Sequence, residues 1–404
     1  MPYKSDFLRT LDERWMLHQL TDADGLDALA GKPGLVAYIG FDCTAPSLHI
    51  GNLVSIMLLR RLQQAGGRPI VLMGGGTTKV GDPSGKDASR QLLTEFDIAA
   101  NKASIKRIFK RFLVFGEGPC DAVMADNAEW LDQLRYIEFL RDFGRHFSVN
   151  RMLSMDSVRL RLEREQPLSF IEFNYMVLQA YDFVELHQRF ACVLQLGGSD
   201  QWGNITQGVD LARRVNGAQL FGVTTPLITN ADGSKMGKTA AGAVWLHEDY
   251  LPNWDYWQFW RNTQDADVGR FLRIFTDLPL NEIARLEALE GAEINAAKVA
   301  LANAATALCR GEAAATEAEA TATATFKEGG VGEALPRVQL AGETALADAL
   351  VLAGLAASKG EARRKLAENA VRLDGETVTD PARMVSAPAK LSLGKKRHAL
   401  LVER

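Results

Sequence analysis

The sequence predicts an α/β fold: an open, mostly parallel sheet over roughly the first 225 residues, then a helical stretch, then a small α+β domain. Three observations carry this. Two short apolar runs, 35–41 and 69–74, flank a segment whose apolar Leu53, Ile56, Met57 and Leu62 share one helical face, which makes a βαβ unit. From about 252 to 309 the periodicity is helical throughout. The last ~60 residues combine a helix-start signal with an Asp-Gly hairpin.

Taken in order, residues 1–30 read as helical, and 35–41 as a buried strand. A helix is predicted over 47–65, stopped by Gly66 and Gly67, and a second strand over 69–74 that ends in three glycines. Further strands are expected at 121–125 and 192–196, a helix at 200–215, and a strand at 226–229 before the turn at Asn230 to Gly233. Residues 313–330, rich in Ala, Glu and Thr, read as a helix end running into a linker, or as one continuous surface helix. Beyond them, 345–352 reads as a short helix, and Ser358 with Glu361 fits a capping box. A hairpin over 371–378 turns at Asp374-Gly375, and a terminal strand follows 395–398.

Composition narrows the class. With 404 residues, 47% hydrophobic and 24% charged, the chain can build a sizeable core. The net charge of −4 hides an asymmetry: residues 340–404 hold 11 Lys/Arg against 8 Asp/Glu, a surplus of three, so the remainder carries −7. A basic tail on an acidic body suits a polyanion-binding module or a solvated surface. Cys43, Cys120, Cys192 and Cys309 form no paired motif, which argues against a thiolate metal site and a disulfide framework. The first residues hold no apolar signal segment, and no apolar run is long enough to span a bilayer, so a cytoplasmic protein is expected.

Phosphate chemistry is written at two places. Gly233-Ser-Lys-Met-Gly-Lys-Thr239 and Gly81-Asp-Pro-Ser-Gly-Lys86 both miss the spacing of a P-loop by one residue. His49-Ile-Gly-Asn52, however, stands between the first strand and the helix after it. There, free N–H groups and the helix dipole favour phosphate, and Gly51 lets a nucleotide approach the backbone. Downstream, Lys235 and Lys238 stand three apart in a Gly-rich turn, placed to close on a triphosphate or to be a solvated basic turn.

Together, His49-Ile-Gly-Asn52 and Lys235-Met-Gly-Lys-Thr239 resemble the paired signatures of class I aminoacyl-tRNA synthetases. Asn52 stands for a second His, and Gly237 and Thr239 for two Ser. Tyr38-Ile-Gly-Phe-Asp-Cys-Thr44, Gly81-Asp-Pro-Ser-Gly-Lys86, Gly197-Gly-Ser-Asp-Gln-Trp-Gly-Asn204 and the stretch from Glu172 to Phe183 are similar to bacterial tyrosyl-tRNA synthetases. Tyr175, Gln179 and Asp182 share one helix face, and a phenol, an amide and a carboxylate there suit a pocket for a polar aromatic amino acid.

The resemblance implies a Rossmann-like catalytic domain over 1–246, a helical anticodon-side domain over 247–325, a linker over 326–340 and an RNA-binding domain over 341–404. It implies L-tyrosine, ATP with Mg²⁺ and tRNA(Tyr) as substrates, no protein-bound metal site, a homodimer and no membrane. Asp182 and Tyr38 are implied to bind the phenol hydroxyl, and Tyr175, Gln179 and Asp82 the α-ammonium group. Asp42, Gly51, Asp200 and Gln201 would line the ribose and adenylate site, and Thr44 and His49 would meet the γ-phosphate. Lys86 and Arg90 would close over pyrophosphate with Lys235 and Lys238. Ile39 stands where relatives carry a residue able to bond a ribose. Arg363, Arg364 and Lys365 would touch tRNA phosphates. A tryptophanyl-tRNA synthetase, or a synthetase-derived RNA-binding protein without catalysis, are the alternative readings.

Overall fold

Six strands form the main sheet: β1 (Gln19–Leu20), β2 (Val36–Asp42), β3 (Arg68–Gly74), β4 (Val123–Asp126), β5 (Leu194–Gly198) and β6 (Phe221–Thr225). Their spatial order is β1-β6-β5-β2-β3-β4, with β2 to β6 parallel and the short β1 antiparallel at one edge. This computed structural model describes residues 3–82, 93–231, 233, 236–239, 242–327, 335–394 and 397–403. They fall into two compact units, 1–237 with 245–247 and 264–288, and 238–244 with 248–263 and 289–404.

In the first unit the chain runs from β2 outward to β3 and β4, then returns to β5 and β6 on the other side. The order reverses between β2 and β5. A crevice opens at the carboxyl ends of strands at such a reversal, because the two connections leave to opposite faces. The Ile50–Gln64 helix follows β2 and buries Leu53, Ile56, Met57 and Leu62 among others. It starts three residues later than the sequence predicts, because His49 takes the N-cap. The Phe170–Phe190 helix opens on a capping box between Ser169 and Glu172.

Three segments depart from expectation, and a fourth takes one of the two forms expected of it. Residues 1–30 form two helices, Asp6–Glu13 and Ala23–Ala30, separated by Trp15 at φ 58 and by β1. The strand expected at 226–229 is instead Phe221–Thr225, buried along its length; Pro226 has no N–H with which to extend the ladder. Glu312–Lys327 is a helix in its own right, turned away from Ile294–Arg310 by Gly311 at φ +96. At Ser358 only half of the capping box forms: its hydroxyl accepts from Glu361 N, while the Glu361 carboxylate accepts from Ala357 N.

The second unit packs Asn253–Arg261 against Ile294–Arg310, burying Trp254, Trp257 and Trp260. Arg310 lies 4.9 Å from the Tyr256 ring centre. Its C-terminal part is a five-stranded sheet, in order 376–377, 371–373, 389–393, 397–403 and 337–340. Leu346, Leu350, Leu366, Val371 and Leu391 fill its core. Asp374 and Gly375 both take positive φ, as the hairpin turn between its first two strands demands.

The far end of the Ile50–Gln64 helix is fixed electrostatically. Arg60 and Arg61 both pair with Asp277, and Arg61 also donates to the Thr276 carbonyl at 2.6 Å. Nearby, Arg14 donates to the carbonyls of Arg273, Thr276 and Leu278. Burial alone would raise the Asp277 carboxyl, but the Arg60 hydrogen bond and the Arg61 charge outweigh it and hold it at about 2. Its folded-state value is depressed, so its stabilisation is full above about pH 4 and fades as pH falls through about 2. Asp277→Asn should therefore cost about 2–3 kcal/mol at pH 7, since it strands the Arg61 guanidinium, which is 2% exposed. Denaturant melts should show the gap to the parent closing as pH approaches 2. A gap constant from pH 7 to pH 2 would refute the ion-pair account.

Candidate active site

The carboxyl end of β2 is built by close approaches that only glycine permits. Asp42 accepts from the Thr77 hydroxyl at 2.8 Å and from the Tyr175 hydroxyl at 3.2 Å. A side chain on Gly74, its neighbour on β3, would sit 2.4 Å from Asp42 Oδ1. Next along, Gly75 N donates to Asp126 Oδ1 at 3.2 Å and Gly76 N to Asn127 Oδ1 at 2.8 Å. Gly40 is exposed in mid-strand with nothing within 4 Å of its absent side chain, a place where a ligand can lie on the backbone. Ile39 is 4% exposed and alternates away from Tyr38 and Asp42, so it lies off the face that carries the site.

Below this rim is a buried carboxylate. Asp182, 2% exposed, accepts from Asn127 Nδ2 at 3.0 Å and Trp130 Nε1 at 2.7 Å. Burial pushes its carboxyl up to about 7, even though these two hydrogen bonds favour the ionised form. Tyr38, 1% exposed, meets Phe183 edge to face at 5.2 Å, and its hydroxyl has no hydrogen-bond partner. Burial first, then the Asp182 charge, raises the Tyr38 phenol well above its ordinary value. A buried hydroxyl beside a buried carboxylate is costly unless something polar arrives between them.

Towards the crevice, polar side chains form a continuous chain. Asn204 Nδ2 donates to Gln179 Oε1 at 2.9 Å, Gln179 Nε2 to Gln201 Oε1 at 3.3 Å, and Gln201 Nε2 to Asp82 Oδ2 at 3.1 Å. Asp200 stands exposed beside Gln201 at the start of the Trp202–Asn216 helix. Tyr175 lies one helical turn before Gln179 and is tied to Asp42, with burial raising its phenol well above ordinary.

His49 caps the Ile50–Gln64 helix. Its Nδ1 accepts from Gly51 N at 3.0 Å, which places the proton of a neutral ring on Nε2. Asn52 closes the capping box, its Oδ1 accepting from His49 N at 3.1 Å. The amide that replaces a histidine thus positions the histidine that remains. A side chain on Gly51 would come within 2.8 Å of the His49 ring, and Trp245 pairs with His49 through a β-bridge. Gly237 takes φ +84 and packs on Ile50, which explains glycine in the signature loop.

The structure therefore joins Tyr175 and Asp42 to Asp182 through Thr77 and Asn127, and joins Gln179, Gln201 and Asp82 in a second set, with Tyr38 near Asp182 and Asp200 beside Gln201. Thr44 is exposed just beyond β2. Lys86, Arg90 and Lys235 lie outside the described residues, and Lys238 opens a two-residue strand, Lys238–Thr239, in the second unit. Also in that unit, Arg363 and Arg364 are exposed, while Lys365 pairs with Glu368 at 2.8 Å. Sequence reasoning missed Thr77, Asn127, Trp130 and Asn204. The available signal was weak: an Asn just after a strand, and a buried Trp whose N–H requires an acceptor. Among the described residues, no group of three or more His, Cys, Asp or Glu is arranged to hold a metal ion.

Comparison with known proteins bears directly on this site. Residues 32–327 match the family described as tRNA synthetases class I (W and Y), and residues 328–400 the tyrosine–tRNA ligase SYY-like C-terminal domain. A tyrosine–tRNA ligase of Novosphingobium aromaticivorans is 66% identical over 403 residues, covering 99% of this chain and 98% of that one. One of Zymomonas mobilis is 62% identical over the same shares. Among solved structures, a C-terminally truncated mitochondrial tyrosyl-tRNA synthetase of Aspergillus nidulans aligns with a TM-score of 0.72 at 29% identity. That alignment covers 80% of this chain and 95% of the other.

Proposed function

The chain belongs to the class I tRNA synthetases of the tryptophan and tyrosine group and acts as a tyrosine–tRNA ligase, and on that premise we propose which side chains do the work. Its substrates are tyrosine, ATP and tRNA. The observation that carries the pocket assignment is Asp182, buried, held by two donors and accompanied by the unpartnered Tyr38 hydroxyl. The substrate phenol hydroxyl fits between them, donating to one and bonding the other. A phenylalanine ring would leave both polar groups unpaired, a rule of which tyrosyl-tRNA synthetases are themselves the standing example.

The α-ammonium group is held by Tyr175, Gln179 and Asp82. Asp42, Gly51, Asp200 and Gln201 line the ribose and the forming adenylate. The tyrosine carboxylate attacks the α-phosphorus of ATP, and pyrophosphate leaves. Thr44 and His49 donate to the γ-phosphate, and Lys86, Arg90, Lys235 and Lys238 balance the charge that builds on the leaving group. The terminal ribose hydroxyl of tRNA then attacks the acyl carbon, and AMP leaves. Positioning and charge suffice for both steps, so no side chain acts as nucleophile. Mg²⁺ enters with ATP, held chiefly by phosphate oxygens and water.

The helices of 247–325 supply the anticodon side, those of 264–288 packing with the first unit, and 341–404, whose sheet also takes in the strand 337–340, form the RNA-binding tail. In that tail Arg363, Arg364 and Lys365 meet tRNA phosphates. The protein works as a homodimer in the cytoplasm. The large apolar side chains exposed between 136 and 171 support pairing: Ile137 is 73% exposed and Phe170 70%.

Three measurements test this. ATP–pyrophosphate exchange should run with tyrosine, and Asp182→Asn should lower kcat/KM for tyrosine by about 100-fold while changing that for phenylalanine far less. Equal losses on both amino acids would remove Asp182 from phenol recognition. Deleting 341–404 should leave exchange intact and reduce tRNA charging at least about tenfold, with the salt dependence of charging falling too. Equal loss of both activities would make the tail a folding element. Sedimentation velocity should give about twice the 44.3 kDa chain mass, and Ile137→Asp should shift it towards one chain; a parent sedimenting as a single chain would end the dimer reading.

A further inference from the structure

We propose that Asp126 is a positioning residue for tyrosine recognition, acting on Asp182 through both of the donors that hold it. This rests on the reading of Asp182 as the phenol acceptor.

Asp126 ends β4, 15% exposed, and does three things at once. Its Oδ1 accepts from Gly75 N at 3.2 Å and from Ala128 N at 3.1 Å, while Oδ2 pairs with Lys102. Three consecutive glycines have no side chains with which to fix a turn, and they lose more freedom on ordering than other residues. Gly74, Gly75 and Gly76 are therefore held from outside, by Asp126 on Gly75 and by Asn127 on Gly76. Contact is so close that a side chain on Gly75 would lie 2.3 Å from Asp126 Oδ1.

Each contact leads to one donor on Asp182. On the first side, the glycine turn delivers Thr77. Its hydroxyl accepts from Asn127 Nδ2 at 3.0 Å, and that same amide donates to Asp182 Oδ2. On the other, the bond to Ala128 N opens the Ala128–Leu131 helix, which carries Trp130 to Asp182 Oδ1. Lys102, on the Glu95–Phe112 helix, pairs with Asp126 Oδ2 and anchors that carboxylate from its other side. Its neighbour Asn101 donates to the Cys43 carbonyl at 2.9 Å, so the same helix also braces the chain just after β2. Asp126 touches neither Asp182 nor Tyr38 in this arrangement; it sets the angle from which Asn127 and Trp130 reach the carboxylate.

The test is tyrosine against phenylalanine discrimination in pyrophosphate exchange, with KM for ATP and thermal melting recorded alongside. Asp126→Ala should lower the tyrosine/phenylalanine ratio of kcat/KM by about tenfold and leave KM for ATP within about twofold. Lys102→Met should move the ratio the same way by less. In an Asp182→Asn background, Asp126→Ala should change the ratio by under about twofold, because the two act on one interaction. Asp126→Asn keeps an acceptor and stands in if the alanine variant does not fold; it too should lower the ratio severalfold. A ratio unchanged in Asp126→Ala or Asp126→Asn, with rates or melting temperature falling equally for both amino acids, would overturn the proposal and leave Asp126 a stabilising residue. Asp182→Asn alone separates the two failures: if it leaves discrimination intact, the phenol reading itself is wrong and this proposal falls with it.

Discussion

A carboxylate buried among aromatic side chains is the constraint around which this site is organised. Asp182 is 2% exposed, and an isolated charge at that depth would cost more than folding can supply. Two donors, Asn127 and Trp130, favour its ionised form, while burial pushes it up to about 7. Those donors come from the segment just after β4, whereas Asp182 comes from the Phe170–Phe190 helix and Tyr38 from β2. The pocket therefore exists only when three separate parts of the first unit are packed together.

The topology explains why these parts meet where they do. Strand order reverses between β2 and β5, so Asp42 at the end of one strand and Gly198 at the end of the other frame one crevice. Every approach there is tight. Gly74 makes room for Asp42, Gly75 for Asp126, and Gly51 for the His49 ring. Glycine usually weakens a regular element, but at these positions it admits the close approach of a carboxylate or imidazole, and Gly75 and Gly51 each donate their N–H to that group.

The Ile50–Gln64 helix works as a beam between two polar anchors. Its first turn is closed by the reciprocal bonds of His49 and Asn52, which fix both the ring and the position of its proton. At its far end Arg60 and Arg61 grip Asp277. Between the two ends it buries an almost unbroken apolar face. A histidine at the tip of such a helix is held by the core behind it.

The sequence by itself determined the local events. Apolar runs at 35–41 and 69–74 read as buried strands, the helix after β2 was visible from its face, and Asp374-Gly375 marked a hairpin turn. Tyr175, Gln179 and Asp182 could be placed on one helix face because 3.6-residue periodicity is a local rule. The tertiary structure decided everything that joins distant segments. It placed the sixth strand at Phe221–Thr225, where pairing with β5 selects the register and Pro226 ends it. It also chose Asn127 and Trp130 as partners of Asp182, more than 50 residues away, and turned Asn52 into a brace for His49. Hydrogen-bond partners across a fold follow from packing geometry. One-dimensional spacing carries periodicity, which fixes the face a side chain occupies, but it cannot say which group will stand opposite.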